Sequence, residues 1–231
     1  NYRSIKNPMT LNLIDERSKF SIYDDYTNAP SEGVMSVQAV IGANASGKTT
    51  TLRGLALIRW LMVESFRNDS PTLPVKQYAG YGKREAPTEI EVVFAMDGID
   101  HIYKVALTKS HIVSEELFIR NLTSKRVTTK RLFERVRTKR NGKYDFHDGI
   151  FGLTGDYWQS QELENASIIS AANRFGNSYA NKLVQYWRRI QTNIDLDERF
   201  RPPYQYEAYM ALMYYQEHPK QRALAEKNIR K

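Results

Sequence analysis

The sequence predicts an α/β fold: a core built around a glycine-rich loop, an inserted antiparallel β subdomain and a helical second half. Three observations predict it. The run Val34–Ile41 is apolar and rich in β-branched residues, stops at Gly42, and leads through Lys48 into a long apolar stretch. That is the order of a buried strand, a tight turn and a helix. The pair Asp97-Gly98 joins two alternating runs, Glu89–Phe94 and His101–Leu107, the pattern of a tight hairpin. Beyond residue 150, apolar side chains recur at helical spacing, as in Ala180, Leu183, Val184, Trp187, Ile190 and Ile194.

Taken in order, residues 2–14 alternate loosely around Asn7-Pro8 and predict a hairpin of two short strands. Phe20–Tyr23 is a further candidate strand before the loop Asp24–Gly33. The helix from Lys48 to about Phe66 carries Leu52, Leu55, Ala56, Ile58, Leu61, Met62 and Val63, so burial on more than one side is expected. Residues 67–88 hold three prolines and read as a long loop or lid. Val113–Asn121 and Arg131–Arg137 extend the antiparallel unit, and 138–149 read as turns. Tyr204–His218 predicts a helix broken at Pro219, which resumes over Lys220–Lys231. The expected regions are 1–66 (core), 67–150 (lid loop and β subdomain) and 151–231 (helical).

Composition excludes several classes. The chain has 231 residues and is 41% hydrophobic, enough for one sizeable core with a smaller subdomain. No run has the eighteen or so apolar residues of a membrane span, and no signal-peptide pattern opens the chain. There is no cysteine, which excludes disulfides and thiolate metal sites and leads us to expect a cytoplasmic protein. The four histidines are scattered without ligand spacing. A start at Asn1 and an end at Lys231, within a helical pattern, are expected of part of a longer protein.

Gly42-Ala43-Asn44-Ala45-Ser46-Gly47-Lys48-Thr49 satisfies G-x-x-x-x-G-K-S/T at every fixed position. The two glycines let successive N–H groups turn around an anion. The helix beginning at Lys48 adds the positive end of its dipole. The Lys48 ammonium is suited to β- and γ-phosphates and the Thr49 hydroxyl to Mg2+. ATP with Mg2+ is the expected cofactor pair. The acidic partner of such a loop is not found: Asp15-Glu16 precedes the loop, and Asp195, Asp197 and Glu198 sit in a stretch too polar for a buried strand. The hydrolytic carboxylate is expected outside these residues, and the catalytic residues stay unassigned.

The inner letters of the loop resemble those of one ABC-type ATPase group, the OLD-like and abortive-infection ATPases of bacterial phage-defence systems. Asn1-Tyr2-Arg3-Ser4-Ile5-Lys6 is similar to the opening of these proteins and of the related RecF and SMC ATPases. Leu73-Pro74-Val75-Lys76-Gln77-Tyr78 resembles their proline-led segment. Residues 89–94, Ile112-Val113-Ser114-Glu115-Glu116-Leu117 and Leu132-Phe133-Glu134-Arg135 follow their β-rich subdomain. The resemblance covers about residues 1–190, and within the group it is nearest the ATPase subunit of PARIS-type systems. It implies the N-terminal part of a P-loop ABC-type head, ATPase activity and nucleotide sandwiched between two heads of a homo-oligomer. It also implies a partner effector nuclease and a phage-encoded trigger, and it puts Arg3 and Ser4 near the nucleotide phosphates, a placement that competes evenly with their ending an edge strand. Thr50, next to Thr49, is a further candidate for the nucleotide site. Two features depart from the group: Thr50 stands where asparagine is usual, and the signature sequence, second acidic motif and switch histidine are absent.

The net charge of +8 is concentrated in one window. Between Arg120 and Lys143 ten basic residues face Glu134 alone, so the remainder is close to neutral. Such a segment suits either a solvated or protein-docking face or a nucleic-acid contact; its one aromatic, Phe133, does not make a stacking platform. The tyrosines and methionines of 204–215 fit a partner groove or a core equally well. Three other classes compete: a RecF-like ATPase acting directly on DNA, a transporter subunit, and a nucleotide-holding scaffold. The 89–137 subdomain disfavours the transporter.

Overall fold

A computed structural model describes residues 2–13, 39–44, 46–67, 70–78, 80, 86–123, 126–138, 141–192, 194, 196 and 204–229. They form two compact units, 1–191 and 192–231. The first holds helix α1 (Lys48–Val63), strands β1 (Thr88–Met96), β2 (Ile99–Leu107), β3 (Ile112–Thr123), β4 (Arg126–Arg137) and β5 (Tyr144–Asp148), then helices α2 (Ile168–Arg174) and α3 (Ser178–Arg188). The second holds α4 (Tyr204–Glu217) and α5 (Pro219–Ile229).

The strands make one antiparallel meander in the order β1-β2-β3-β4-β5. Asp97 and Gly98 both take positive φ, 54° and 76°, the turn whose twist matches a right-handed hairpin. Register follows from it, pairing Met96 with Ile99 and Phe94 with His101. Alternation then buries Tyr103, Val105, Leu107, Leu117 and Phe133 on one face. β5 corrects the reading of 138–149 as turns. Tyr144 and Phe146 alternate with Asp145 and His147, and the strand pairs with β4 from Arg137↔Tyr144 to Phe133↔Asp148. Five residues between glycines were too short a pattern to separate from a loop.

Helices cover the buried face. Asn177 caps α3 by accepting from the Ala180 N–H at 2.9 Å. Trp187 and Tyr186 of α3 meet Phe94 at ring centroid distances of 5.2 and 5.3 Å. α3 was expected to run on to Ile194; it ends at Arg188, because the Ile190 carbonyl is turned to accept from Arg59 Nε at 3.0 Å. In α1, Ala56, Leu57, Ile58, Leu61, Met62 and Val63 are buried, while Leu52 and Leu55 are exposed. Burial on several sides therefore holds for the second half of the helix only.

The N-terminal strand expectations fare differently. Tyr2 and Ile5 form one isolated antiparallel bridge around a turn at Arg3-Ser4, and residues 6–13 are in no strand. The predicted hairpin about Asn7-Pro8 is replaced by this tighter turn, anchored where the Arg3 N–H donates to the Lys76 carbonyl at 2.8 Å. Residues 39–41, the described end of the predicted buried strand, are not in a sheet, and Ile41 is 91% exposed. No strand lies beside them among the described residues, and burial of a parallel strand requires neighbours. The rest of that strand and the candidate strand 20–23 lie outside the described residues. Within 70–78, Leu73 and Val75 are buried, and the Leu73 N–H donates to the Lys109 carbonyl, so this part of the proline segment is packed down.

His101 joins sheet to helix. Its Nδ1–H donates to the Ile99 carbonyl at 2.9 Å, so Nε2 accepts from the Tyr179 hydroxyl at 2.7 Å, and the ring stacks on Phe94. Burial pulls its pKa below 6.5, against the backbone bond to Ile99 and the carboxylates of Asp100 and Asp97. A folded pKa lowered below the unfolded one means the unfolded chain takes up the proton first. Stability should therefore fall as pH drops through about 6.5. Urea midpoints at about pH 7.5 and about pH 5.5 test this, and His101→Gln should narrow the difference.

In the second unit Pro219 opens α5, where a missing N–H costs nothing. His218 stacks on Tyr214 with centroids 4.3 Å apart and bonds its carbonyl, which stiffens the corner. Tyr209, Met210, Leu212, Met213 and Tyr214 of α4 are all exposed. No helix of the described residues is long and apolar enough to cross a membrane.

Candidate phosphate-binding site

The loop 42–49 ends in a left-handed glycine. Gly47 has φ +94°, a conformation L side chains rarely adopt, and it turns the chain into α1. A Cβ added to Gly42 would meet Ser46 Oγ at 3.0 Å, so the loop closes tightly on itself. No side chain caps α1, and its first turn has no acidic residue. The N–H groups that a capping side chain would satisfy are thus left for another acceptor. With the dipole behind them they form an anion site of the kind a phosphate fills.

Lys48 Nζ donates to the Gly42 and Ala43 carbonyls at 2.6 Å each and lies 3.5 Å from Ser46 Oγ. The ammonium is thereby held across the loop. Thr49 is half-buried at the first turn. The Thr51 hydroxyl donates to the Gly47 carbonyl at 3.1 Å.

The N-terminal segment reaches this loop. Ser4 Oγ lies 3.0 Å from the hydroxyl of buried Thr50. A Cβ on Gly47 would sit 3.7 Å from Ile5 and 3.9 Å from Ser4 Oγ. The structure therefore brings Ser4 and Thr50 together behind the helix start. Arg3, in contrast, has its guanidinium over the ring of Tyr2 at 5.7 Å. Ala45 lies outside the described residues, as do Asp15, Glu16, Asp195, Asp197 and Glu198. Among the described residues no cluster of histidine and acidic side chains could hold a metal.

A second polar centre was not anticipated from sequence. Glu115 of β3 and Arg135 of β4 are fully buried and joined at 2.7 Å. Glu115 Oε1 accepts from Tyr103 at 2.9 Å and Ser167 at 2.6 Å, and Oε2 from the Ile168 N–H at 3.0 Å. Arg135 also donates to the Leu163 and Ala166 carbonyls. Burial and the neighbouring Glu115 push the Tyr103 hydroxyl well above 10, and burial pushes Tyr144 up to about 12. Both remain neutral donors. The network reaches α1 as well, since Ser65, just past its end, accepts from the Ser167 N–H at 2.9 Å. It satisfies all of its charges internally, which is the mark of a structural tie rather than of a reactive site.

The basic window is partly consumed by such pairing. Arg120 binds Asp100, Arg131 binds Glu134, Arg135 binds Glu115 and Arg137 binds Glu164. Lys130 and Lys143 are exposed.

A glycine loop that opens an uncapped helix, with a lysine drawn across it, defines a P-loop domain. Comparison with known families agrees: the family described as "AAA domain, putative AbiEii toxin, Type IV TA system" matches residues 37–219. The chain belongs to this AAA domain family, whose members have a P-loop ATPase α/β fold and generally bind ATP with Mg2+. The family links it to abortive infection. No curated protein and no solved structure matches the chain.

Proposed function

We propose that this protein is the ATP-binding and ATP-hydrolysing subunit of a phage-defence system, an ABC-type head that controls a partner effector nuclease. The observation that carries the reading is the loop itself: Lys48 drawn over Gly42 and Ala43 at the start of a helix without a capping side chain. Gly42, Ala43, Asn44, Ala45, Ser46, Gly47 and Lys48 would hold the phosphates, and Thr49 would hold Mg2+. Ser4 and Thr50 would brace the turn from behind, with Arg3 nearby. Bound Mg2+ supplies charge neutralisation at the transferred phosphate. The chain's own part would be to orient the β- and γ-phosphates through Lys48 and the loop N–H groups. Membership of a family linked to abortive infection supports the defence role, and the sequence resemblance supports paired heads and a phage-encoded trigger.

The experiment is native mass with and without ATP and Mg2+, paired with phage plating on cells that carry the whole system. A nucleotide-dependent rise in mass, with protection lost in Lys48→Ala, is expected. A monomer under both conditions would overturn the paired heads, and equal plating on wild type and variant would overturn the defence role.

The competing reading, direct action on DNA, turns on the cations of 125–143. Replacing Lys130 and Lys143 by alanine should leave ATP affinity unchanged, because both lie in the β subdomain and not in the loop. If DNA is retained, its affinity should fall steeply between low and moderate salt and weaken in the double variant. Filter binding at several salt concentrations checks this.

A further inference from the structure

Where α1 ends, the surface carries an open groove lined by Arg59, Trp60, Val63, Glu64, Arg67 and Arg188. Trp60 lies about 18 Å along α1 from Lys48, so the groove is separate from the phosphate loop. Arg59 is committed: Nε donates to the Ile190 carbonyl at 3.0 Å, and Nη1 binds Glu64 at 2.9 Å. That pair neutralises the one carboxylate in the groove. Arg67 and Arg188 are exposed, and neither forms an ion pair among the described residues. Two uncommitted guanidiniums thus flank a half-buried tryptophan and a valine.

These are the residue types that anchor protein interfaces, with an aromatic body for contact area and arginine forks for carboxylates. A phosphate strand suits the groove less well. A single indole offers no row of stacking surfaces for successive bases. We propose that this groove docks an acidic segment of a partner protein, with carboxylates on Arg67 and Arg188 and an apolar side chain against Trp60. The proposal does not rest on the nucleotide reading and would stand if that reading failed.

The tryptophans give a direct readout. Trp158 and Trp187 are 6% and 1% exposed, which leaves Trp60 as the partly open one of the three. The 231-residue chain is titrated with a synthetic peptide in which paired glutamates flank one phenylalanine. A saturable blue shift of tryptophan emission is expected, and Trp60→Phe should abolish it. Arg67→Glu and Arg188→Glu, each on the surface, should each weaken binding about tenfold, the loss of about 1.4 kcal/mol. The doubly reversed chain should prefer the same peptide with lysine in place of glutamate. The proposal is overturned by no emission change, by a shift that persists in Trp60→Phe, or by undiminished binding in the reversed variants. Tighter binding of oligo-dT than of the peptide would assign the groove to nucleic acid and overturn it too.

Discussion

Lys48→Ala is expected to weaken ATP binding about a hundredfold, the loss of about 3 kcal/mol. In the proposed site the Lys48 ammonium would be the one point charge of the loop on the triphosphate. The backbone N–H groups of the α1 start are dipoles that cannot replace it. The variant should still fold, because Lys48 is half-exposed and its bonds go to the Gly42 and Ala43 carbonyls of the loop itself. A change of less than about 0.5 kcal/mol in unfolding free energy is anticipated. Isothermal titration calorimetry with ATP and Mg2+ gives the affinity and thermal melting the control. Unaltered affinity would mean that the loop does not hold the triphosphate, and the proposed function would fall with it.

The second large effect lies in the sheet. Glu115→Ala leaves the Arg135 guanidinium, wholly removed from solvent, without its counter-charge. Breaking a buried pair from one side costs about 3–5 kcal/mol, a large fraction of the stability of an ordinary domain. Tyr103, Ser167 and the Ile168 N–H lose their acceptor at the same time. The double variant Glu115→Leu with Arg135→Met should recover much of the loss, since both desolvated charges go. Removing the exposed Glu91–Lys104 pair, 3.2 Å apart on β1 and β2, should cost about 0.5 kcal/mol or less. Urea unfolding of the four proteins separates the cases. If Glu115→Ala unfolds like the surface variant, the buried pair contributes little to stability.

What could be read from sequence, and what could not, divides by the range of the forces involved. The phosphate loop and the β1–β2 hairpin were legible because each is set within a few residues: Gly42, Gly47, Lys48 and Thr49 by spacing, Asp97-Gly98 by the turn they permit. The ends of α3 and of the Tyr2–Ile5 turn were not. Each depends on a distant partner, Arg59 for the Ile190 carbonyl and Lys76 for the Arg3 N–H. The Glu115–Arg135 pair left a trace that went unused. Glu115 is in phase with Leu117, and Arg135 with Phe133, so alternation alone put both charges on the buried face. A charge count over the basic window does not separate Arg135, which faces the core, from the exposed cations beside it.

The exposed Val40, Ile41, Leu52 and Leu55 show the limit of pattern reading from the other side. Their apolar character predicted burial, yet burial depends on what packs against them, and the described residues place no strand there.

The tie from Ser65 through Ser167 to Glu115 also bears on how the molecule opens. Its bonds cross from the end of α1 to the start of α2 and on to β3 and β4. None of these elements can detach without stranding a buried charge or an unpaired N–H. Amide protons of β3, β4 and α2 should then exchange together, as one cooperative unit with a shared opening free energy. The first residues of the phosphate loop, outside that unit, should exchange long before it.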